Sequence, residues 1–158
     1  MKKLLIFIII LFSSVPLEAA QDYGFETLTA SVHPVPSDIS KYLLSSEAEA
    51  VKDCQRQLKL TNKEMASYFT AVSIRLSKKK GTLVLPTKYC YAFFGAHAVS
   101  FWIFITDDPT PKLILSGRQD GLRISDDEAN GLPIIETFYG ATSTRFIYNG
   151  DRYTESIK

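Results

Sequence analysis

Two cysteines, two histidines and a few clustered carboxylates are the residues in this chain whose types could do chemistry. Cys54 and Cys90 are the only cysteines, 36 positions apart. In an oxidising compartment an even pair reads as a disulfide. Closing that loop removes chain entropy from the unfolded state, worth about 3–4 kcal/mol. The chemical alternative is a nucleophilic thiol with His33 or His97 as base, which also needs an orienting group and an oxyanion site that spacing does not supply. The two histidines stand 64 positions apart with no companion at metal-ligand spacing, and no H-x-x-x-H, C-x-x-C, G-x-S-x-G or phosphate-cradling glycine pattern occurs. Asp126, Glu128, Asn130 and Gly131 match the opening of a calcium loop, where clustered oxygens and a glycine at the sharp turn suit a hard cation. Its twelfth position is Thr137 instead of glutamate, with Glu136 one residue off, so the segment reads as a solvated acidic turn. The pairs Asp107-Asp108 and Asp126-Asp127 fall where aspartate is favoured for backbone reasons. No catalytic residue, metal site or cofactor is therefore assigned, and the expectation is a protein that is not an enzyme. A hydrolase with dispersed catalytic residues, centred on His97, stays as the least favoured alternative.

The elements that must position these residues begin beyond an apparent leader. Lys2 and Lys3 precede nine unbroken apolar residues, Leu4–Phe12, and Ser13, Ser14 and Pro16 lead to Ala19-Ala20. That order is a secretory signal peptide over residues 1–20, with Glu18 bulkier than usual at the third position before the cut. Even extended to Leu17 the apolar segment has 14 residues, short of the ~20 that cross a bilayer. The expectation is a single secreted domain over residues 21–158, located in the periplasm or outside the cell, with no membrane insertion once the leader is removed. Beyond the leader, 16 basic residues balance 16 acidic ones, which argues against bulk binding of nucleic acid or anionic lipid.

Gln21 to Pro36 lacks sustained periodicity and carries Gly24, Pro34 and Pro36, so it reads as an extended arm pairing along a sheet edge. Ser46 with Glu49 forms a capping-box pattern, and Val51, Cys54 and Leu58 recur at helical spacing, turning Cys54 inward. Thr61 with Glu64 is a second capping box, and Leu60 with Met65 has the spacing of a hydrophobic staple. After Tyr68 the period changes: Val72, Ile74 and Leu76 alternate with Ser73 and Arg75, a half-exposed strand. Lys78-Lys79-Lys80-Gly81 reads as a turn before a strand at Thr82–Leu85. In Ala98–Thr106, Val99, Phe101, Ile103 and Ile105 alternate with the equally apolar Trp102 and Phe104. A strand apolar on both faces belongs inside a covered sheet, so helices are expected over one face. Asp107-Asp108-Pro109 and Gly117–Gly121 read as turns, and Asn149-Gly150 as a two-residue type I′ hairpin turn. The fold class is α+β: an N-terminal helical segment packed on an antiparallel β-meander, with one disulfide between the layers.

Cys90 ahead of an aromatic segment, Phe101-Trp102-Ile103-Phe104, Leu113-Ile114-Leu115, Asn130-Gly131-Leu132-Pro133-Ile134 and Tyr148-Asn149-Gly150-Asp151-Arg152-Tyr153 occur in one order. In that order, over residues 70–155, the chain resembles a loose group of small exported bacterial proteins whose strands are similar to single blades of FG-GAP or VCBS-type repeats. The resemblance implies an antiparallel strand fold and brings no assigned activity. Such repeats often hold calcium in an Asp-rich hairpin turn; the matching turn here is Ser77-Lys78-Lys79-Lys80-Gly81, where three lysines replace the carboxylates.

Charge is uneven along the chain. Residues 41–90 hold ten basic and four acidic groups, whereas residues 91–158 hold six and nine. Exposed helices and turns account for this as ordinary solvated charge. The sharper reading is a bipolar surface that steers a protein partner, with Lys78, Lys79 and Lys80 as one pole and Asp126, Asp127 and Glu128 as the other. The functional expectation is a non-enzymatic periplasmic binding protein, an inhibitor or immunity protein acting on a protein partner. The alternative is an accessory or structural subunit of the envelope.

Overall fold

The computed structural model describes residues 20–156 apart from 27, 29, 46, 47 and 97. Residues 1–19 of the expected leader and His97 lie outside the described residues. Three helices and ten strands are present among those described. The arm contributes β1 (Gln21–Gly24) and β2 (Val32–His33). The helical segment is α1 (Ser37–Leu44), α2 (Glu49–Leu58) and α3 (Asn62–Ala66). Then follow β3 (Phe69–Leu76), β4 (Lys79–Pro86), β5 (Val99–Ile105), β6 (Lys112–Gln119), β7 (Gly121–Ala129), β8 (Leu132–Tyr139), β9 (Thr142–Tyr148) and β10 (Tyr153–Glu155). All pairings are antiparallel, and the class is α+β as the sequence implies.

The meander is divided between two sheets. One has the order β2-β3-β4-β5-β6 and the other β1-β7-β8-β9-β10. Between them lies a core in which Val72, Leu83, Phe101 and Ile103 of the first sheet meet Leu122, Ile124 and Ile135 of the second. The opposite face of the first sheet is covered by helices: Ile39 and Leu43 of α1, Val51 and Cys54 of α2 and Met65 of α3 pack with Val84, Trp102 and Phe104. The order of layers is therefore helices, sheet, sheet. Strand β5 is sandwiched twice and all seven of its residues are buried, which is why both of its alternating faces are apolar.

Local signals explain much of this and fail at identifiable points. Thr61 caps α3 as a full capping box, its hydroxyl accepting from the Glu64 amide while Glu64 accepts from the Thr61 amide. The Ser46/Glu49 capping-box pattern involves Ser46, which lies outside the described residues; α2 itself starts at Glu49, with Ala48 as its cap and no side-chain cap hydrogen bond. Leu58, at the end of that helix, is exposed, while Val51 and Cys54 are buried. Helix α1 adds to the sequence expectations; its signal is Pro36 at the start and the Ile39/Leu43 spacing.

Three turns differ as well. The β3–β4 turn is only Ser77-Lys78, with Leu76 paired to Lys79, so Lys79, Lys80 and Gly81 belong to β4. Gly117 is in β6 instead of a turn, because a Cβ there would sit 3.1 Å from the Phe101 ring; the glycine admits an aromatic neighbour, and only Asp120 links β6 to β7. The type I′ geometry falls at Asn130-Gly131, both at positive φ (55° and 80°) between the paired Ala129 and Leu132. Asn149-Gly150 opens a four-residue loop instead, in which the Asn149 side chain accepts from the amides of Asp151 and Arg152.

Candidate functional site

The 12 residues from Thr87 to Ala98 join β4 to β5 and form the longest irregular connection between successive strands of either sheet. Its course follows from which residues it buries. Thr87 starts it, its amide donating to the Tyr68 carbonyl at 2.7 Å. Cys90 is 2% exposed and disulfide-bonded to Cys54 on α2, so the thiol-nucleophile reading has no free thiol. Phe93 is fully buried, its ring 5.3 Å from that of Phe69 and 6.1 Å from that of Trp102. The amides of Phe93 and Phe94 turn back onto the Cys90 carbonyl. On the far side Arg118 of β6 donates to the Ala92 carbonyl, Ser100 donates to the Phe93 carbonyl, and Phe94 bridges to Val99.

Tyr89 and Tyr91, either side of the Cys90 anchor, point outward. Tyr89 is 76% exposed and stacks on Phe94 with ring centroids 5.7 Å apart; Tyr91 is 53% exposed. Lys88 bonds to the Ser67 hydroxyl at 2.9 Å and sits 5.0 Å above the Tyr68 ring, where the cation meets the negative face of the aromatic ring. Tyr139, the last residue of β8, is a further exposed aromatic; it lines a 490 Å³ cavity together with Gly95, Ala98 and Arg118. Tyrosine carries binding energy at protein interfaces because it offers a large contact area with few rotatable bonds and a polar tip, and arginine because its planar guanidinium presents several donors in a fixed fork.

The residues singled out from the sequence lie elsewhere. Lys78 is in the β3–β4 turn, and Lys79 and Lys80 open β4; all three are exposed. Strand β4 runs from these lysines to Pro86, so they stand about 24 Å from the start of the tyrosine loop. Asp126, Asp127 and Glu128 are exposed on β7 next to its turn into β8; Asp126 and Asp127 fall where the register with β8 shifts. Because these carboxylates belong to a strand, the calcium-loop conformation is not formed there. Among the described residues no group of three or more His, Cys, Asp or Glu side chains is placed to hold a metal ion.

A chain of contacts places the two charged segments at one end of the molecule. The Lys80 amide donates to both oxygens of Asp107, joining the β3–β4 turn to the β5–β6 loop. Lys112, where that loop ends, pairs with Asp151 of the β9–β10 loop at 2.7 Å. The hydrogen bond from Lys112 holds the Asp151 carboxyl below the usual carboxylate range and raises the lysine in turn. The Asn130 side chain donates to the Tyr148 carbonyl at 2.6 Å, and the Tyr153 hydroxyl donates to the Pro133 carbonyl, which bring in the β7–β8 turn. Burial raises the Tyr153 phenol well above its ordinary range.

His33, the other base considered, is half-buried on β2 with its ring nitrogens 3.0 Å from the Ser73 hydroxyl and from the Pro34 carbonyl, a structural tie between β2 and β3. The exposed tyrosines were not among the sequence-derived candidates. Their signal is the Tyr-Cys-Tyr run at 89–91, in which the bonded cysteine is held inside and its neighbours are sent out. No helix among the described residues is long and apolar enough to cross a membrane. Comparison with protein-family models, with curated proteins and with solved structures finds no match for this chain.

Proposed function

We propose that this chain is a non-enzymatic binding protein of the bacterial envelope, an inhibitor or immunity protein that engages a protein partner through the tyrosine loop. The observation that supports it is the loop's pre-organisation. A 12-residue connection presents Tyr89 and Tyr91 to solvent while a disulfide, a buried phenylalanine and an arginine hydrogen bond fix its backbone. Binding then loses little conformational entropy on ordering, so more of the contact energy appears as affinity. The leader-like sequence and the disulfide together favour an exported, oxidising location. Lys78–Lys80 and Asp126–Glu128, at the opposite end, act at most on encounter rate.

The test uses the exported, disulfide-bonded protein to capture its partner from envelope extracts of its own and competing cells. The affinity of the reconstituted pair is then measured. Replacing Tyr89 and Tyr91 together by alanine is expected to weaken binding by about a hundredfold or more. Neutralising Lys78, Lys79 and Lys80 is expected to slow association by less than about tenfold. A tyrosine variant that folds and binds like the parent overturns the loop as the contact surface.

A further inference from the structure

The four outer strands of the two sheets are unequal. Strands β1, β2 and β10 have four, two and three residues, the short lengths by which sheets blunt their edges. Strand β6 has eight residues, is paired with β5 on one side, and has no strand on the other among those described. Its pairing with β5 slips at Ile103/Phe104, which leaves Ile114 as the extra residue and Leu115–Gln119 as a regular stretch of edge. That edge opens onto space with depth. A 420 Å³ cavity runs beside Leu113–Ser116 against Phe146, Arg152 and Tyr153, and the 490 Å³ cavity continues past Arg118 and Gln119 to Thr142 and Thr144. The facing sheet adds to the opening, because β10 pairs only with Phe146–Tyr148 and leaves the first residues of β9 without a strand outside them.

We propose that β6 accepts an extended segment of a partner protein as a sixth, added strand of its sheet, with the partner's alternate side chains seated in the flanking groove. The unpaired backbone of an edge strand is complementary to another strand, and pockets at alternate positions select its side chains. Charge distinguishes the occupant. Arg118 and Arg152 line the groove, its one lining carboxylate, Asp151, is already paired with Lys112, and β6 itself carries two cations and no carboxylate. Two copies of β6 laid antiparallel set against each other strands that carry cations and no carboxylate, whereas a strand with acidic ends meets those cations favourably. This inference rests on reading the chain as a protein-binding molecule and names a second contact, centred on β6 and adjoining the tyrosine loop at Gly95 and Ala98.

The probes are two synthetic octapeptides of alternating valine and threonine, one with aspartate at both ends and the other with lysine. Each is titrated into the exported, disulfide-bonded protein and followed by residue-resolved amide exchange and NMR shifts. The acid-ended peptide is expected to slow exchange at alternate amides of Leu115–Gln119 and to bind about fivefold more tightly than the lysine-ended one. Equal binding of the two peptides overturns the charge assignment. No slowing within Leu115–Gln119 at saturation overturns the strand-addition site. Concentration-dependent dimerisation that protects the same amides overturns the choice of a partner segment in favour of a second copy. Because the probes are peptides and the readout is local to β6, a negative result here leaves the test of Tyr89 and Tyr91 intact.

Discussion

The two ends of the molecule are built on different physics. At one end the β4–β5 connection is held by apolar burial and a covalent bond: Phe93 between Phe69 and Trp102, and Cys90 fixed to α2. At the other end the turns are held by polar contacts at the surface: Asp107 on the Lys80 amide, Lys112 on Asp151, and Asn149 on its own loop. A buried aromatic cluster fixes a loop strongly and leaves other side chains free to face outward. Exposed ion pairs and turn geometry fix a loop weakly, because water and salt compete for the same groups. The comparison explains how the loop at the aromatic end holds Tyr89 and Tyr91 outward on a fixed backbone.

Removing the anchors of the aromatic end has the largest expected effect. Phe93→Ala is expected to cost about 3–5 kcal/mol, from lost burial and the cavity left between two aromatic rings. The paired Cys54→Ser and Cys90→Ser variant is expected to cost about 3–4 kcal/mol. Denaturant unfolding of the oxidised protein measures both, and losses below about 1 kcal/mol would show that the loop is not held as described.

An intermediate effect is expected at the charged end from Gly131→Ala. Gly131 has φ at +80° and open space around its Cβ position, so the cost is backbone strain alone, about 1–2 kcal/mol, with no change at the aromatic end. Amide exchange in β7 and β8, compared with β4 and β5, separates the two ends.

The smallest effect is electrostatic. Asp151 titrates below its unfolded value because Lys112 bonds to its charged form. Its contribution is therefore present above the unfolded pKa and is lost as pH falls through the folded one. Glu64 behaves alike, its carboxyl lowered by the Thr61 amide and hydroxyl. A slight decline of stability in acid, reduced by Asp151→Asn, is the expected result of unfolding titrations from pH 7 downward. An unchanged decline in that variant would assign it to other carboxylates.

The site was less legible than the fold. Alternation at Val72–Leu76 and the double apolar pattern of β5 fixed strand faces, because side-chain direction in a strand is set by its own period. The exposure of Tyr89 and Tyr91 is not legible in the sequence because irregular backbone has no period; only the fixed position of Cys90 decides which neighbours point out. The charged segments Lys78–Lys80 and Asp126–Glu128 were visible as composition, yet their shared end depends on contacts between residues far apart in sequence.

What the sequence determined by itself is local: the Thr61 cap, the cysteine pair, the burial of β5 on both faces and the α+β class. Each depends on a few neighbouring side chains, or on the only partner available. What the tertiary structure decided is which strands share a sheet and which turn takes the type I′ form. The Gly117–Gly121 segment has turn composition, but β6 continues to Gln119 because ladder hydrogen bonds to β5 and the close approach of Phe101 outweigh that preference. A single residue, Asp120, then carries the chain to the second sheet. Local preferences amount to about 1 kcal/mol or less per residue, and packing across a shared core exceeds them.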